Sequence, residues 1–160
     1  MKKFLNGFKY AFNGIISAIK TQRNFRIHIC VLIFVLSYSF FYKFNRIEYI
    51  LLIITFSIVL SSELINTALE YTVNICSPEY NKLAKIAKDC AAGAVLITAL
   101  GAIVIGIILF ADFNVFRSII NYYCRNFLAF SGLILYVVAS YFFIAYPSKH
   151  DERENNGNKN

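Results

Sequence analysis

Hydrophobic and polar positions follow two rhythms along this chain. Across 4–19 the apolar residues fall at Phe4, Leu5, Phe8, Ala11, Phe12, Ile15, Ile16 and Ile19, a helical period, while Lys2, Lys3, Lys9, Asn13 and Lys20 fill the other face. That pattern predicts an amphipathic helix lying in a membrane interface. Unbroken apolar runs follow. Residues 27–42 form a short first span, with Arg26 and Lys43 expected to snorkel at its ends. A second span starts at 49–60 and must run on through Ser61, Ser62, Glu63 and Asn66 to reach a usable length. Residues 90–111 give 22 positions without a charge and 127–146 another 20. Each suffices for a hydrocarbon core of ~30 Å at about 1.5 Å per residue. Between them, 115–124 reads as a short interfacial helix, and 148–160 reads as a polar, disordered tail.

Composition sharpens this picture. With 58% apolar and only 16% charged residues, the chain has too little polar surface for a soluble globule. The fold class expected is an all-α integral membrane protein, with an N-terminal surface helix and four transmembrane helices. A net charge of +7 raises nucleic acid as a partner, but the basic residues flank apolar runs rather than forming a block, so no nucleic acid is expected. Lys and Arg number six in the N-terminal segment, three in 73–89 and three in the tail, against four in the two opposite loops. Twelve against four predicts a multi-pass plasma-membrane protein with both termini and the 73–89 loop in the cytoplasm. Lys2 and Lys3 are followed by neither a continuous apolar core nor a small-residue cleavage site, so no removable signal is expected. Cys30, Cys76, Cys90 and Cys124 form no C-x-x-C pair and read as buried small hydrophobes. His28 reads as an interfacial packing residue and His150 as a solvated one.

The chemistry is concentrated where polar groups interrupt the second span. Glu63 lies fourteen residues beyond Tyr49, and Asn66 and Glu70 follow at i+3 and i+7 on one helical face. A carboxylate at this depth costs about 2–3 kcal/mol and needs a partner, a lysine for example, or a wet cavity. At the start of the third span Lys85, Lys88 and Asp89 share a face near the cytoplasmic surface. A stripe of small residues continues from them at Ala94, Thr98, Ala102 and Gly106, a spacing that lets a neighbouring helix approach closely. The lysine cluster is therefore expected against the Glu63/Asn66/Glu70 face. Carboxylates can hold Mg²⁺ alongside phosphates, lysines neutralise phosphate charge, and a desolvated carboxylate can accept a hydroxyl proton. A lipid alcohol and a nucleotide would meet there. These residues by themselves also allow an ion or proton pathway.

The segments 63–70 (ELINTALE) and 83–95 (LAKIAKDCAAGAV) resemble the prokaryotic diacylglycerol kinase family, and 23–28 (RNFRIH) resembles its Gram-positive, undecaprenol kinase-like branch. The resemblance covers roughly 4–111. It implies ATP- and Mg²⁺-dependent phosphorylation of a membrane lipid alcohol, undecaprenol first and diacylglycerol as the alternative. It also implies a homotrimer of three-span subunits. Domain limits follow: 1–111 as kinase core, 112–146 as an outer loop and extra fourth span, and 147–160 as the tail. By the same resemblance Glu63 is the proton acceptor beside the lipid hydroxyl, Asn66 orients its neighbours, and Glu70 binds metal and nucleotide. Lys88, Asp89, Glu79, Tyr80 and Asn81 match nucleotide contacts, with Tyr10 and Lys3 aligning more loosely. Two departures stand out. Gln22 occupies the place of a metal-binding Glu, and Asn74 that of an Asp. Both motivate a rival reading as a weakly active or non-catalytic scaffold.

Overall fold

The computed structural model describes residues 2–147, with side chains from Phe4 onward. The tail, with His150, lies outside the described residues. Six helices follow in order: α1 (Lys2–Thr21), α2 (Arg23–Tyr42), α3 (Arg46–Cys76), α4 (Lys82–Leu109), α5 (Phe113–Arg125) and α6 (Phe127–Ala145). Four of them, α2, α3, α4 and α6, are long and apolar enough to cross a membrane. The amphipathic α1 and α5 are the two that are not, in line with the interfacial patterns read from sequence. Successive spans run antiparallel, so the bundle has a near end, with the α1–α2 junction and the 77–81 loop, and a far end, where α5 lies.

Local chemistry fixes the helix ends. Asn45 accepts from the backbone N–H groups of Ile47 and Glu48, while the Glu48 carboxylate accepts from the Asn45 N–H at 2.6 Å, a reciprocal capping box that starts α3. Asp112 caps α5 in the simpler one-way manner. Lys43 ends α2 at φ 50°, the left-handed conformation that breaks helical repetition.

Length is informative. At about 1.5 Å per residue the 31-residue α3 and the 28-residue α4 reach about 46 Å and 42 Å, well beyond a ~30 Å hydrocarbon core. Their excess lies at the near end, where Glu70 and Lys88 are. Helices α3 and α4 form the main pair, α2 packs on α3, and α6 packs on α2. The buried apolar set is small, Ala18, Phe25, Leu52, Val59 and Ile119, because most apolar side chains face outward, as a lipid solvent permits.

Three expectations change. Arg26 does not snorkel: it is 2% exposed and held by backbone carbonyls. Of the cysteines only Cys30 is partly buried, while Cys76, Cys90 and Cys124 are exposed on helix surfaces. The small-residue stripe of α4 meets α3 at Thr98, which hydrogen-bonds Ser62 at 2.9 Å, but it opens beyond that, since a Cβ added at Gly106 meets nothing within 4 Å.

Candidate active site

Glu63 is only 2% exposed, on the inner face of α3. The basic side chain that meets it is a histidine, not the lysine suggested by sequence: His28 Nε2 approaches Glu63 Oε1 at 3.4 Å. The contact is not aligned as a hydrogen bond, and Oε1 has no hydrogen-bonding partner. Glu63 is therefore a desolvated carboxylate with one oxygen available, at the depth where α3 leaves the apolar core. His28 is a packing residue at its span start, and it is also the group that meets this carboxylate. Sequence alone missed that pairing because the partners lie on different helices.

One turn towards the near end, Asn66 Nδ2 donates to Glu70 Oε1 at 2.9 Å, the i,i+4 contact that the spacing anticipates. This leaves the Asn66 Oδ1 buried and unpartnered. Thr67, also buried, returns its hydroxyl to the Glu63 carbonyl at 2.8 Å and so presents its methyl outward. Helix α1 covers this stretch. Ala11, Gly14, Ile15 and Ala18 face Leu64, Thr67, Ala68 and Tyr71 across a cavity of about 430 Å³.

On α4, Lys88 Nζ donates to Asn74 Oδ1 at 2.6 Å. The lysine therefore meets α3 one turn beyond Glu70 rather than at Glu63, while Lys85 and Asp89 stay exposed. An amide at position 74 holds the ammonium without neutralising its charge. In the connecting loop Ser77 Oγ donates to the Glu79 carbonyl at 3.2 Å, Glu79 and Tyr80 are exposed, and Asn81 is committed locally. Its Oδ1 accepts from the N–H groups of Leu83 and Ala84, capping α4 and leaving only its NH₂ for a ligand. Tyr10 is exposed on α1, and the Lys3 side chain lies outside the described residues.

Gln22 sits in extended backbone between α1 and α2, half-buried, with no capping hydrogen bond from its side chain. No hydrogen bond joins it to Glu70, whose partner is Asn66. Among the described residues there is no group of three His, Cys, Asp or Glu side chains arranged to hold a metal. Mg²⁺ often uses one or two carboxylates and takes its other oxygens from water and phosphates. Glu70 beside the orphaned Asn66 Oδ1 fits that mode, a metal arriving with a nucleotide rather than a preformed cage.

From His28 an apolar groove of about 320 Å³ runs between α2, α3 and α4 to Phe110 at the far end. Ala102 and Gly106 line it, so the small residues open space here rather than drawing helices together. Near the groove's inner end Ser62 Oγ and Thr98 Oγ1 share a hydrogen bond of 2.9 Å, the one polar clasp between α3 and α4 at that level.

Comparison with known proteins accounts for most of this ground. A family model described as prokaryotic diacylglycerol kinase matches residues 9–110. A protein of Synechocystis named diacylglycerol kinase is 44% identical over 103 residues, 64% of this chain, and the chain spans only 59% of that relative's length. A Bacillus subtilis undecaprenol kinase is 36% identical over 110 residues, covering 69% of this chain and 89% of the relative. A Haemophilus influenzae diacylglycerol kinase is 37% identical over 94 residues, 58% of this chain and 79% of the relative. No solved structure matches. Residues 111–160, with α5 and α6, lie beyond the family match.

Proposed function

This chain belongs to the prokaryotic diacylglycerol kinase family, a family of membrane lipid kinases, and we propose that it phosphorylates a lipid alcohol at the cytoplasmic membrane surface with ATP and Mg²⁺. The observation that carries this reading is the ordering of groups by depth. Glu63 lies buried and partly unpartnered against His28, which lines the inner end of the apolar groove, with Glu70, Asn66 and Lys88 on the helix extensions beyond it. A lipid whose tail occupies the groove would bring its hydroxyl to Glu63. Phosphates coming from the other side would meet the near-end groups.

In this reading Glu63 takes the hydroxyl proton as the lipid oxygen attacks the γ-phosphorus. The bond to the β–γ bridging oxygen breaks, and ADP departs. The Asn66–Glu70 hydrogen bond fixes one carboxylate oxygen and leaves the other for metal or nucleotide. Mg²⁺ held at Glu70 would supply neutralisation of phosphate charge, with Gln22 offering at most a neutral oxygen. Lys88 would hold phosphate, and Asp89 with the 79–81 loop and Tyr10 and Lys3 of α1 would contact the nucleotide. Subunits would assemble as a homotrimer, with the termini cytoplasmic.

Undecaprenol is our first acceptor, supported by the 23–28 segment and by a relative named undecaprenol kinase that this chain covers for 89% of its length. Diacylglycerol is the second, supported by the 44% identity to a relative named for that activity. Radiolabelled ATP supplied to the protein in vesicles with each alcohol separately tests the choice. Label on undecaprenol is the expected result. Label only on diacylglycerol would reverse the order, and label on neither would leave the non-catalytic scaffold standing.

A further inference from the structure

The fourth span lies outside the family match, yet it ends on a residue inside it. Arg26 on α2 donates from Nη1 to the Ile19 carbonyl at 3.2 Å, and from Nη2 to the carbonyls of Ile144 at 3.2 Å and Tyr146 at 2.8 Å. Ile19 is in the last turn of α1, and Ile144 and Tyr146 form the end of α6. Carbonyls at helix C-termini lack intrahelical donors and together carry the negative end of the helix dipole, roughly half a charge per helix. The cation therefore sits between two partial negative ends, which a buried guanidinium requires when it stands at the unfavourable N-terminal end of its own helix. Among the described residues no carboxylate pairs with Arg26, so these carbonyls are the acceptors that it uses.

Bonding Ile19 to Arg26 closes the α1–α2 elbow around Gln22. The same α2 stretch receives a second polar contact from α6 one turn along, where Tyr136 Oη donates to the Cys30 carbonyl at 2.5 Å. His28, which meets Glu63, lies between these two anchors.

We propose that the fourth span is an internal strut: its terminal carbonyls, acting through Arg26, set the angle of the α1–α2 elbow and so hold Gln22 where nucleotide-bound Mg²⁺ arrives. Arg26 is a positioning residue, and the last clause rests on the kinase reading above. An elbow lacking an acidic ligand at position 22 gains from being held, because a neutral amide oxygen reaches a metal only if geometry delivers it.

The test compares Arg26→Met and Arg26→Lys with the full-length parent in lipid nanodiscs, by hydrogen exchange and by magnesium titration of lipid phosphorylation. In Arg26→Met, amide exchange should rise at least about fivefold both at 17–22 and at 142–146, although the latter lies some 120 positions away. Half-saturating Mg²⁺ should rise about threefold or more while half-saturating lipid stays put. Arg26→Lys, which keeps the charge, should recover part of both effects, and it carries the same two readouts if the methionine variant does not fold. Exchange rising only in the first turn of α2 overturns the strut. Exchange rising at both ends with an unmoved magnesium requirement overturns the positioning of Gln22. A parent protein that labels no lipid alcohol defeats the kinase reading instead, and the exchange comparison still decides the strut.

Discussion

The two ends of this bundle are held by different physics. At the near end the contacts are few and polar: Arg26 on three carbonyls, His28 against Glu63, Asn66 on Glu70, Lys88 on Asn74. At the far end aromatic rings predominate. Phe110 meets Tyr42 at 4.8 Å and Phe44 at 5.0 Å edge-on, while Phe41 and Tyr38 reach Tyr122 and Tyr123 of α5. Ring packing tolerates small shifts, whereas a buried charge that loses its partner does not. The proposed chemistry therefore falls where geometry is enforced, and the aromatic end serves to keep the helices assembled.

Glu63→Gln should break this contrast most sharply. Turnover should fall by at least about 10²-fold, the usual contribution of a general base, with helical content by circular dichroism unchanged. Lys88→Met comes next: half-saturating ATP should rise about tenfold, equivalent to about 1.4 kcal/mol, with half-saturating lipid unmoved. A variant in which both constants rise together would remove Lys88 from phosphate binding. At the opposite end, Phe44→Ala, outside the groove, should cost about 1 kcal/mol in denaturant unfolding through its lost edge contacts with Phe110 and Tyr49. Its specific activity per folded molecule should be that of the parent, and an activity loss there would blur the division of labour. Smallest is Ser62→Ala between the two ends. Loss of the hydroxyl pair with Thr98 should cost about 0.6 kcal/mol, typical of polar contacts between membrane helices.

Much of the fold was legible because the membrane simplifies the code. Long apolar runs must be helices, so the four spans and the amphipathic α1 follow from periodicity. Asn66 and Glu70 were placed together because their contact is local and obeys helical spacing. The misses share a different cause. Arg26 at a span start looks like a snorkelling cation, and nothing in its neighbourhood signals carbonyls 118 and 120 positions away. His28 meets a carboxylate on another helix, and Lys88 finds Asn74 across the α3–α4 turn. Gly106 illustrates the converse. Its spacing with Ala102 suggested close approach, but small residues can equally leave a trough, and only the neighbouring helix decides which. Asn81, assigned to nucleotide by resemblance, also had a legible local role as the cap of α4.

The capping box at Asn45 reaches further than its own turn. Helix α3 is a stiff rod whose origin is pinned there, and Glu63 rides on it eighteen residues, or about 27 Å, away. Inserting a single residue between them would advance the carboxylate by about 1.5 Å and swing it by roughly 100°, away from His28 and into lipid. A short polar clasp at the outer rim thus works as the zero mark of a ruler, and the reading at its other end is the altitude and bearing of one acidic group.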